Sequence, residues 1–210
     1  MSAPAGDPPG TGPSATRRDA AHWDARYADE ARPWPGEPSR TVTGAVSGLA
    51  PGRALDLATG TGRHALWLAA AGWQVTALDF SAVGVAQGQA ASHEVQWVVA
   101  DIRAWEPAAT YDLVLVAYVQ LGVAGLQRAG RWLAPGGRLV VVGHALRNLT
   151  DGVHGPRDPA FLHTEQDLRR GAEGLEVERL EEVQRPDSGG TAYELLLVAK
   201  APDPRPKVAP

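Results

Sequence analysis

The chain has 210 residues, of which 44% are hydrophobic and 21% charged, and its net charge is −4 at pH 7. These values are typical of a globular domain and argue against collagen, coiled coil and wholesale disorder. The acidic balance argues against a broad nucleic-acid-binding surface. Because the sequence contains no cysteine, disulfides, thiolate metal ligands and a thiol nucleophile are excluded.

Both ends differ in composition from the middle of the chain. Residues 1–18 are rich in Pro, Gly, Ala and Ser, and residues 201–210 contain four prolines. We expect a flexible N-terminal arm, one folded domain over residues 19–200 and a flexible tail. The sequence has neither a signal-peptide core nor an apolar stretch of about 18 residues, which favours a cytoplasmic location without a membrane partner.

Strand-like and helix-like segments alternate along the middle of the chain. Strands are predicted at 54–58, 74–78, 95–100, 112–117 and 138–142, helices at 63–71, 82–91, 122–133 and 164–170, and two last strands at 175–183 and 192–199 around a loop at 185–190. Strands that alternate with helices form a parallel sheet covered on both faces. The sequence therefore predicts a doubly wound, Rossmann-like α/β fold that ends in an antiparallel hairpin.

Three aspartates, Asp56, Asp79 and Asp101, lie at or near the ends of the first three predicted strands. A single aspartate after a strand is more often a turn former or helix cap. Three of them at one sheet edge, with Gly60-Thr61-Gly62 in the first crossover, indicate a nucleoside-ligand site, because open α/β sheets bind ligands along that edge.

The charge of these residues favours one nucleoside over another. The Gly60-x-Gly62 loop also matches a dinucleotide fingerprint, with Asp79 at the ribose position. An acid at Asp56 would repel a pyrophosphate, whereas it would attract the ammonium group of S-adenosylmethionine (SAM). We expect Asp79 to accept from the ribose hydroxyls and Asp101 from the adenine amine, with the Ile102 N–H facing a ring nitrogen.

These segments resemble the motifs of class I SAM-dependent methyltransferases. Residues 55–65 resemble motif I, residues 75–81 the second motif and residues 99–102 the third, and Tyr111-Asp112 and residues 133–137 resemble later signatures. The resemblance implies a seven-stranded sheet of order 3-2-1-4-5-7-6 with an antiparallel last strand. It also implies SAM as the cofactor and S-adenosylhomocysteine (SAH) as its product, bound by a set that includes Asp56, Ala58, Gly60, Gly62, Asp79, Phe80, Asp101 and Ile102.

Ala58 departs from the family pattern, in which glycine is usual at this position. Alanine fits there if its φ angle is negative. Its methyl group would then lie close to the methionine moiety of the cofactor.

The segment with Trp23, Arg26, Tyr27 and Trp34 resembles the lead-in of small-molecule methyltransferases of the tellurite-resistance and thiopurine types. The resemblance implies that Tyr27 or Trp34 closes over SAM and that Arg26 reaches its carboxylate. The alternative is an amphipathic helix that packs its aromatic residues on the sheet edge.

Tyr118 follows the fourth predicted strand and His144 the fifth. Both positions suit a general base, so these residues are the catalytic candidates. His64 and His163 are expected at the surface or at helix starts. No cluster has metal-ligand spacing, so no metal is expected.

Two other functions stay open. The glycine loop allows an NAD(P)-dependent oxidoreductase, although the chain lacks a Tyr-x-x-x-Lys motif. Ala58 allows a SAM-binding protein without transferase activity. The favoured hypothesis is methyl transfer to a small molecule by a monomer or homodimer, with the attacking atom left open.

Overall fold

The computed structural model describes residues 19–29 and 36–203. The predicted N-terminal arm, the end of the predicted tail and Trp34 lie outside the described residues. At the start of the predicted tail, Ala201 is buried. Its N–H donates a hydrogen bond of 2.8 Å to the Gly137 carbonyl, so the described chain stays attached to the sheet at least to this point.

Six α-helices and seven strands follow one another in the described residues. In chain order they are α1 (Ala20–Tyr27), α2 (Arg40–Val46), β1 (Arg53–Leu57), α3 (Arg63–Ala70), β2 (Gln74–Asp79), α4 (Ala82–Ala91), β3 (Gln96–Val99), β4 (Tyr111–Ala117), α5 (Gly122–Arg131), β5 (Leu133–His144), α6 (Glu165–Gly171), β6 (Glu176–Asp187) and β7 (Gly190–Lys200). Two short 3₁₀ turns, Leu146–Leu149 and Pro159–Phe161, lie between β5 and α6.

The seven strands form one sheet in the order β3-β2-β1-β4-β5-β7-β6. Strands β1 to β5 are parallel to one another, and β7 runs antiparallel between β5 and β6. The predicted fold class and strand order are confirmed. Residues 113–116 of β4 are fully buried, as expected for a central strand with helices on both faces.

The last hairpin is longer than predicted. Arg185, Pro186 and Asp187 continue β6 and pair with the first residues of β7, so the loop predicted at 185–190 was wrong in extent. Gly189 has a φ of 84°, a conformation that glycine adopts at no steric cost and that closes a tight turn. Helix α2 was not predicted, because its seven residues, with β-branched threonine and valine, carry little helical signal.

The core consists of one apolar cluster on each face of the sheet. Trp73 and Trp132 are buried in these clusters, while Trp67 and Trp97 pack against one of them half-buried. All four tryptophans therefore contribute to the core. None of the helices in the described residues is both long enough and apolar enough to span a membrane.

Candidate active site

Asp79 ends β2 and joins two loops at the carboxyl edge of the sheet. Its Oδ2 accepts a hydrogen bond from the Gly60 N–H and its Oδ1 one from the Ser81 N–H, both at 2.8 Å. Burial raises the pKa of Asp79, and the Ser81 and Gly60 N–H groups oppose that rise. The residue is only 3% exposed, yet it lines a cavity. Asp79 thus presents a firmly held carboxylate to any ligand.

The glycine loop between β1 and α3 needs both of its glycines. Gly60 and Gly62 have φ angles of 61° and 88°. A Cβ atom at Gly62 would overlap the Trp97 ring, and one at Gly60 would lie 2.6 Å from the Tyr27 hydroxyl. The loop backbone therefore comes closer to neighbouring groups than any side-chain-bearing residue would allow.

Ala58 does not have the negative φ that the sequence analysis required. Its φ is 54°, in the left-handed region that disfavours residues with a Cβ. The residue lines two cavities, so the expectation about its backbone was wrong while its place at the ligand edge agrees with the motif.

Asp56 lies beneath the glycine loop and not at the cavity wall. It is 1% exposed, and its Oδ2 accepts a 2.6 Å hydrogen bond from the Thr59 hydroxyl. Burial raises the pKa of Asp56 to about 7, against the effects of the Thr59 hydrogen bond and of Arg63. In this structure the side chain braces the loop, while Asp79 is the acid that faces the cavity.

Two adjoining cavities run along the carboxyl edge of β1, β2 and β4. The smaller, of about 150 Å³, is lined by Trp23, Tyr27, Ala58, Thr59, Gly60, Thr61, Arg63, His64, Asp79, Phe80, Ala117, Tyr118 and Val119. The larger, of about 650 Å³, extends past β3 and includes Asp101 and Ile102. Ala58, Phe80 and Val119 line both, so the two form one cleft across the predicted cofactor motifs.

Asp101 stands at the far end of this cleft in an ion pair. Its Oδ1 accepts from the Arg103 backbone N–H and from the Arg103 Nε, both at 2.9 Å. The Asp101 side chain is 42% exposed, so solvent can replace this partner. Adjacent Ile102 lines the same cavity, as the third motif predicts.

Helix α1 forms the outer wall of the smaller cavity. Asp24 accepts hydrogen bonds from the Ser81 hydroxyl at 2.6 Å and from the Val83 N–H at 3.1 Å, which docks α1 on the first turn of α4. Trp23 and Tyr27 stack with ring centroids 5.5 Å apart and both line the cavity. Arg26 is not among the lining residues.

Tyr118 follows β4 and forms the wall opposite α1. Its hydroxyl donates to Glu194 Oε1 at 2.9 Å and lies 2.7 Å from the Ser39 hydroxyl. The Arg63 guanidinium sits 5.0 Å above the centre of its ring. The structure therefore places one of the two catalytic candidates at the cavity.

His144 lies behind Tyr118, outside the cavity lining. The two rings are 5.5 Å apart and tilted by 55°. Its Nδ1 is buried without a hydrogen-bond partner, and burial lowers its pKa. His144 can influence the cavity through Tyr118 rather than by direct contact.

His64 and His163 were expected at the surface or at helix starts, and both are buried at helix starts, His64 in the first turn of α3 and His163 directly before the N-cap of α6. His64 is 4% exposed and its Nε2 accepts from the Ser39 N–H at 3.2 Å. Burial, aided by Arg63, lowers the pKa of His64 to about 3. His163 packs against Gly143, which leaves no room for a side chain there. Within the described residues, no group of three or more His, Cys, Asp or Glu side chains is arranged to hold a metal ion.

Two residues of this site were missed by sequence reasoning. Arg63 was visible as the first residue of α3 after the glycine loop, where a side chain can reach back over the loop. Glu194 stands alone as an acid in the apolar run of β7, and a charged residue in a buried strand is itself a signal of a polar network.

Comparison with known proteins agrees with this geometry. Residues 54–137, from β1 into β5, match the family described as a methyltransferase domain. A demethylmenaquinone methyltransferase of Thermus thermophilus is 40% identical over 104 residues, which are 44% of this chain and 47% of that protein. The chain thus spans about half the length of the curated relatives it matches.

Solved structures share the fold over most of the chain. The N-methyltransferase NodS from Bradyrhizobium japonicum WM9, in complex with SAH, has a TM-score of 0.69 at 18% identity and covers 88% of this chain and 98% of its own. TehB from Haemophilus influenzae has a TM-score of 0.64 at 20% identity over 87% of this chain and 66% of its own. The fold implied by the resemblance is confirmed, and residues 54–137 match a methyltransferase domain.

Proposed function

We propose that this chain, which carries a methyltransferase domain in a class I fold, is a SAM-dependent methyltransferase that acts on a small-molecule acceptor. The observation that carries the proposal is Asp79: a buried carboxylate at the end of β2, held by the glycine loop and facing the cleft.

The charges along the cleft suit a zwitterionic ligand. Asp79 and Arg63, which carry opposite charges, line the same small cavity. Among the described residues that line it, no other is a Lys or an Arg. An ammonium and a carboxylate on one ligand would each find a partner of opposite sign there. A pyrophosphate at the glycine loop would find the Gly60 N–H already bonded to Asp79 and Asp56 close beneath the loop, which argues against the NAD(P) alternative.

The cleft also suits the size and the polarity of an adenosine moiety. Asp79 has two acceptor oxygens, each already bonded to one backbone N–H, and a carboxylate can accept about four hydrogen bonds. Capacity is therefore left for ribose hydroxyls. Phe80 and Ile102 supply apolar walls for a planar ring, and Asp101 can accept from an amine at the far end.

SAM, when bound, supplies a methyl group that is already activated on a sulfonium. The work of this chain is then to bind, orient and exclude water. The loop from Ala58 to Gly62 and Asp79 hold one side of the cleft. Trp23 and Tyr27 cover it, Arg63 is placed to pair with the ligand carboxylate, and Tyr118 faces the acceptor end.

The acceptor is a small molecule. The cavity beside Tyr118 is about 150 Å³, too small for a peptide segment or a stacked base pair. The demethylmenaquinone methyltransferases that resemble about half of this chain act, by their names, on a small molecule as well. A cysteine-free chain suits a reducing compartment, so we propose a cytoplasmic location.

Isothermal titration with SAM and with NADH tests the proposal. Wild-type protein is expected to bind SAM in the micromolar range and NADH not measurably. Asp79→Asn should weaken SAM binding by at least about tenfold, since hydrogen bonds to a charged acceptor contribute about 1.5–3 kcal/mol.

Asp112→Asn is the matched control. Asp112 is exposed and accepts from the Arg53 N–H at the opposite end of β1, so SAM affinity should be unchanged. NADH binding without SAM binding would replace the proposal with the oxidoreductase, and SAM binding that is indifferent to Asp79→Asn would refute the assigned site.

A further inference from the structure

Glu194 is a completely buried acid on β7, and all five residues that follow it, 195–199, are apolar and buried. Its Oε2 accepts a 2.6 Å hydrogen bond from the Thr41 hydroxyl. Its Oε1 accepts from the Tyr118 hydroxyl at 2.9 Å and from the Arg185 Nε at 2.8 Å. A buried ion pair is seldom a net gain over an apolar pair of the same size. Stability alone therefore does not account for an acid at this position.

Tyr118 connects this acid to the cavity. The residue lines the cavity immediately after β4, and its φ of 60° is costly for an aromatic residue. Backbone strain of this kind persists where the surroundings hold it, and it is concentrated at functional sites. The hydrogen bonds to Glu194 and Ser39 are contacts that hold the side chain there.

The charged and titratable groups around Tyr118 differ in what they can do with a proton. Arg63 has no acceptor atom, and His64 already accepts from the Ser39 N–H through its Nε2. His144 lies against the ring and is not bonded to the hydroxyl. Glu194 is the acid that receives the hydroxyl proton of Tyr118 in a hydrogen bond.

We propose that Tyr118 and Glu194 form a proton-relay pair for an acceptor that carries an aromatic hydroxyl group. This inference rests on the proposed methyltransferase function. Tyr118 is the catalytic residue that touches the acceptor, and Glu194 is a positioning residue that acts through it and takes up the proton.

The acceptor oxygen attacks the methyl carbon, the new O–CH₃ bond forms, and the S–CH₃ bond breaks with its electron pair left on sulfur. The acceptor proton moves to the Tyr118 oxygen while the Tyr118 proton moves to Glu194 Oε1. The positive charge of the sulfonium and the negative charge of Glu194 are both lost. Arg185, which donates to the same oxygen, is partly exposed and also paired with Asp187.

The lining of the cavity fits an aromatic acceptor. Trp23, Tyr27 and Tyr118 form the aromatic part of this lining, which suits an aromatic acceptor, while Asp79 and the glycine loop form its cofactor side. A thiol acceptor ionises readily by itself and would not need a proton acceptor such as the buried Tyr118–Glu194 pair. A phenol keeps its proton at neutral pH, and this proton must be removed for methyl transfer.

The test compares phenol with 4-nitrophenol at mildly alkaline pH, because 4-nitrophenol is then already ionised and has no proton to relay. Methyl transfer from radiolabelled SAM is measured for the wild type, Glu194→Gln, Tyr118→Phe and the double variant. Glu194→Gln and Tyr118→Phe should each lower kcat for phenol at least about tenfold and leave kcat for 4-nitrophenol within about twofold. Because the two groups act as one unit, the double variant should be no slower than the slower single variant.

Glu178→Gln, which removes a surface partner of Arg138, is the control and should behave as the wild type. The affinity for SAM, measured by calorimetry on every variant, separates the two proposals. Absent SAM binding in the wild type counts against the methyltransferase itself. A wild type that binds SAM and methylates neither phenol overturns the acceptor class, and equal losses on both phenols reduce Glu194 to a structural role. A Glu194→Gln protein that does not fold leaves the decision to Tyr118→Phe on the same pair of phenols.

Discussion

Replacing Ala58 with glycine tests whether the loop stores backbone strain. At a φ of 54° the alanine Cβ costs about 1–2 kcal/mol relative to the right-handed region. Glycine removes that cost and loses about 0.5–1 kcal/mol through greater freedom in the unfolded chain. Ala58→Gly should therefore stabilise the protein by about 0.5–1 kcal/mol, and thermal unfolding should show a Tm higher by about 1–4 °C. SAM should also bind more tightly, because the methyl group projects at the boundary of both cavities.

Ala71→Gly is the matched control for this change. Ala71 is the C-cap of α3 and has a φ of −85°, which alanine adopts without strain, so the substitution should lower stability by about 0.5 kcal/mol. Opposite signs for the two variants would support strain at Ala58. A loss at Ala58 as large as the loss at Ala71 would refute it.

Two further predictions concern the same end of the sheet. Gly62→Ala combines a φ of 88° with overlap on the Trp97 ring, so chemical denaturation should show a free energy of unfolding lower by about 3 kcal/mol or more. Gly44→Ala, in α2 with open space around it, should instead raise the free energy of unfolding by about 0.5–1 kcal/mol. A mild effect at Gly62 would mean that the Trp97 ring can move away. Burial lowers the pKa of His64 from 6.5 to about 3, so the unfolded chain binds a proton over this range that the folded chain does not, and stability falls as the pH drops from 6.5 toward 3. His64→Gln should flatten that decline in a series of thermal melts, and an unchanged slope would show that other groups cause it.

The order of the strands followed from the sequence because local signals and global fold agree. The apolar run in β4 and the glycines before α3 each favour the element that forms, and short crossovers between strands allow few topologies. The ends of the strands in the last hairpin could not be predicted from the sequence. Arg185, Pro186 and Asp187 read as a loop by composition, and the pairing with β7 that makes them a strand depends on tertiary contacts.

The positions of the site residues along the sheet edge could be predicted from the sequence, but their solvent exposure could not. Asp56, Asp79 and Asp101 all lie at the carboxyl edge, as their spacing indicated. Their environments differ: Asp56 is covered by the loop, Asp79 faces the cleft, and Asp101 is open to solvent. Strand-end spacing cannot distinguish these cases, because each depends on how far the following loop folds back over the strand.

Asp79 and Glu194 show one physical arrangement at two places in the sheet. Each is a carboxylate removed from water and compensated by several hydrogen-bond donors, main-chain N–H groups for Asp79 and side chains for Glu194. A charge held in this way does not have to reorganise when a ligand binds, which is what makes fixed dipoles and charges effective in a site. Main-chain donors are supplied by the fold of the glycine loop, so the acid of the cofactor side can be found from motifs. Side-chain donors come from α2, from the residue after β4 and from β6, which are distant in sequence, so the acid of the acceptor side becomes visible only when the strands are assembled.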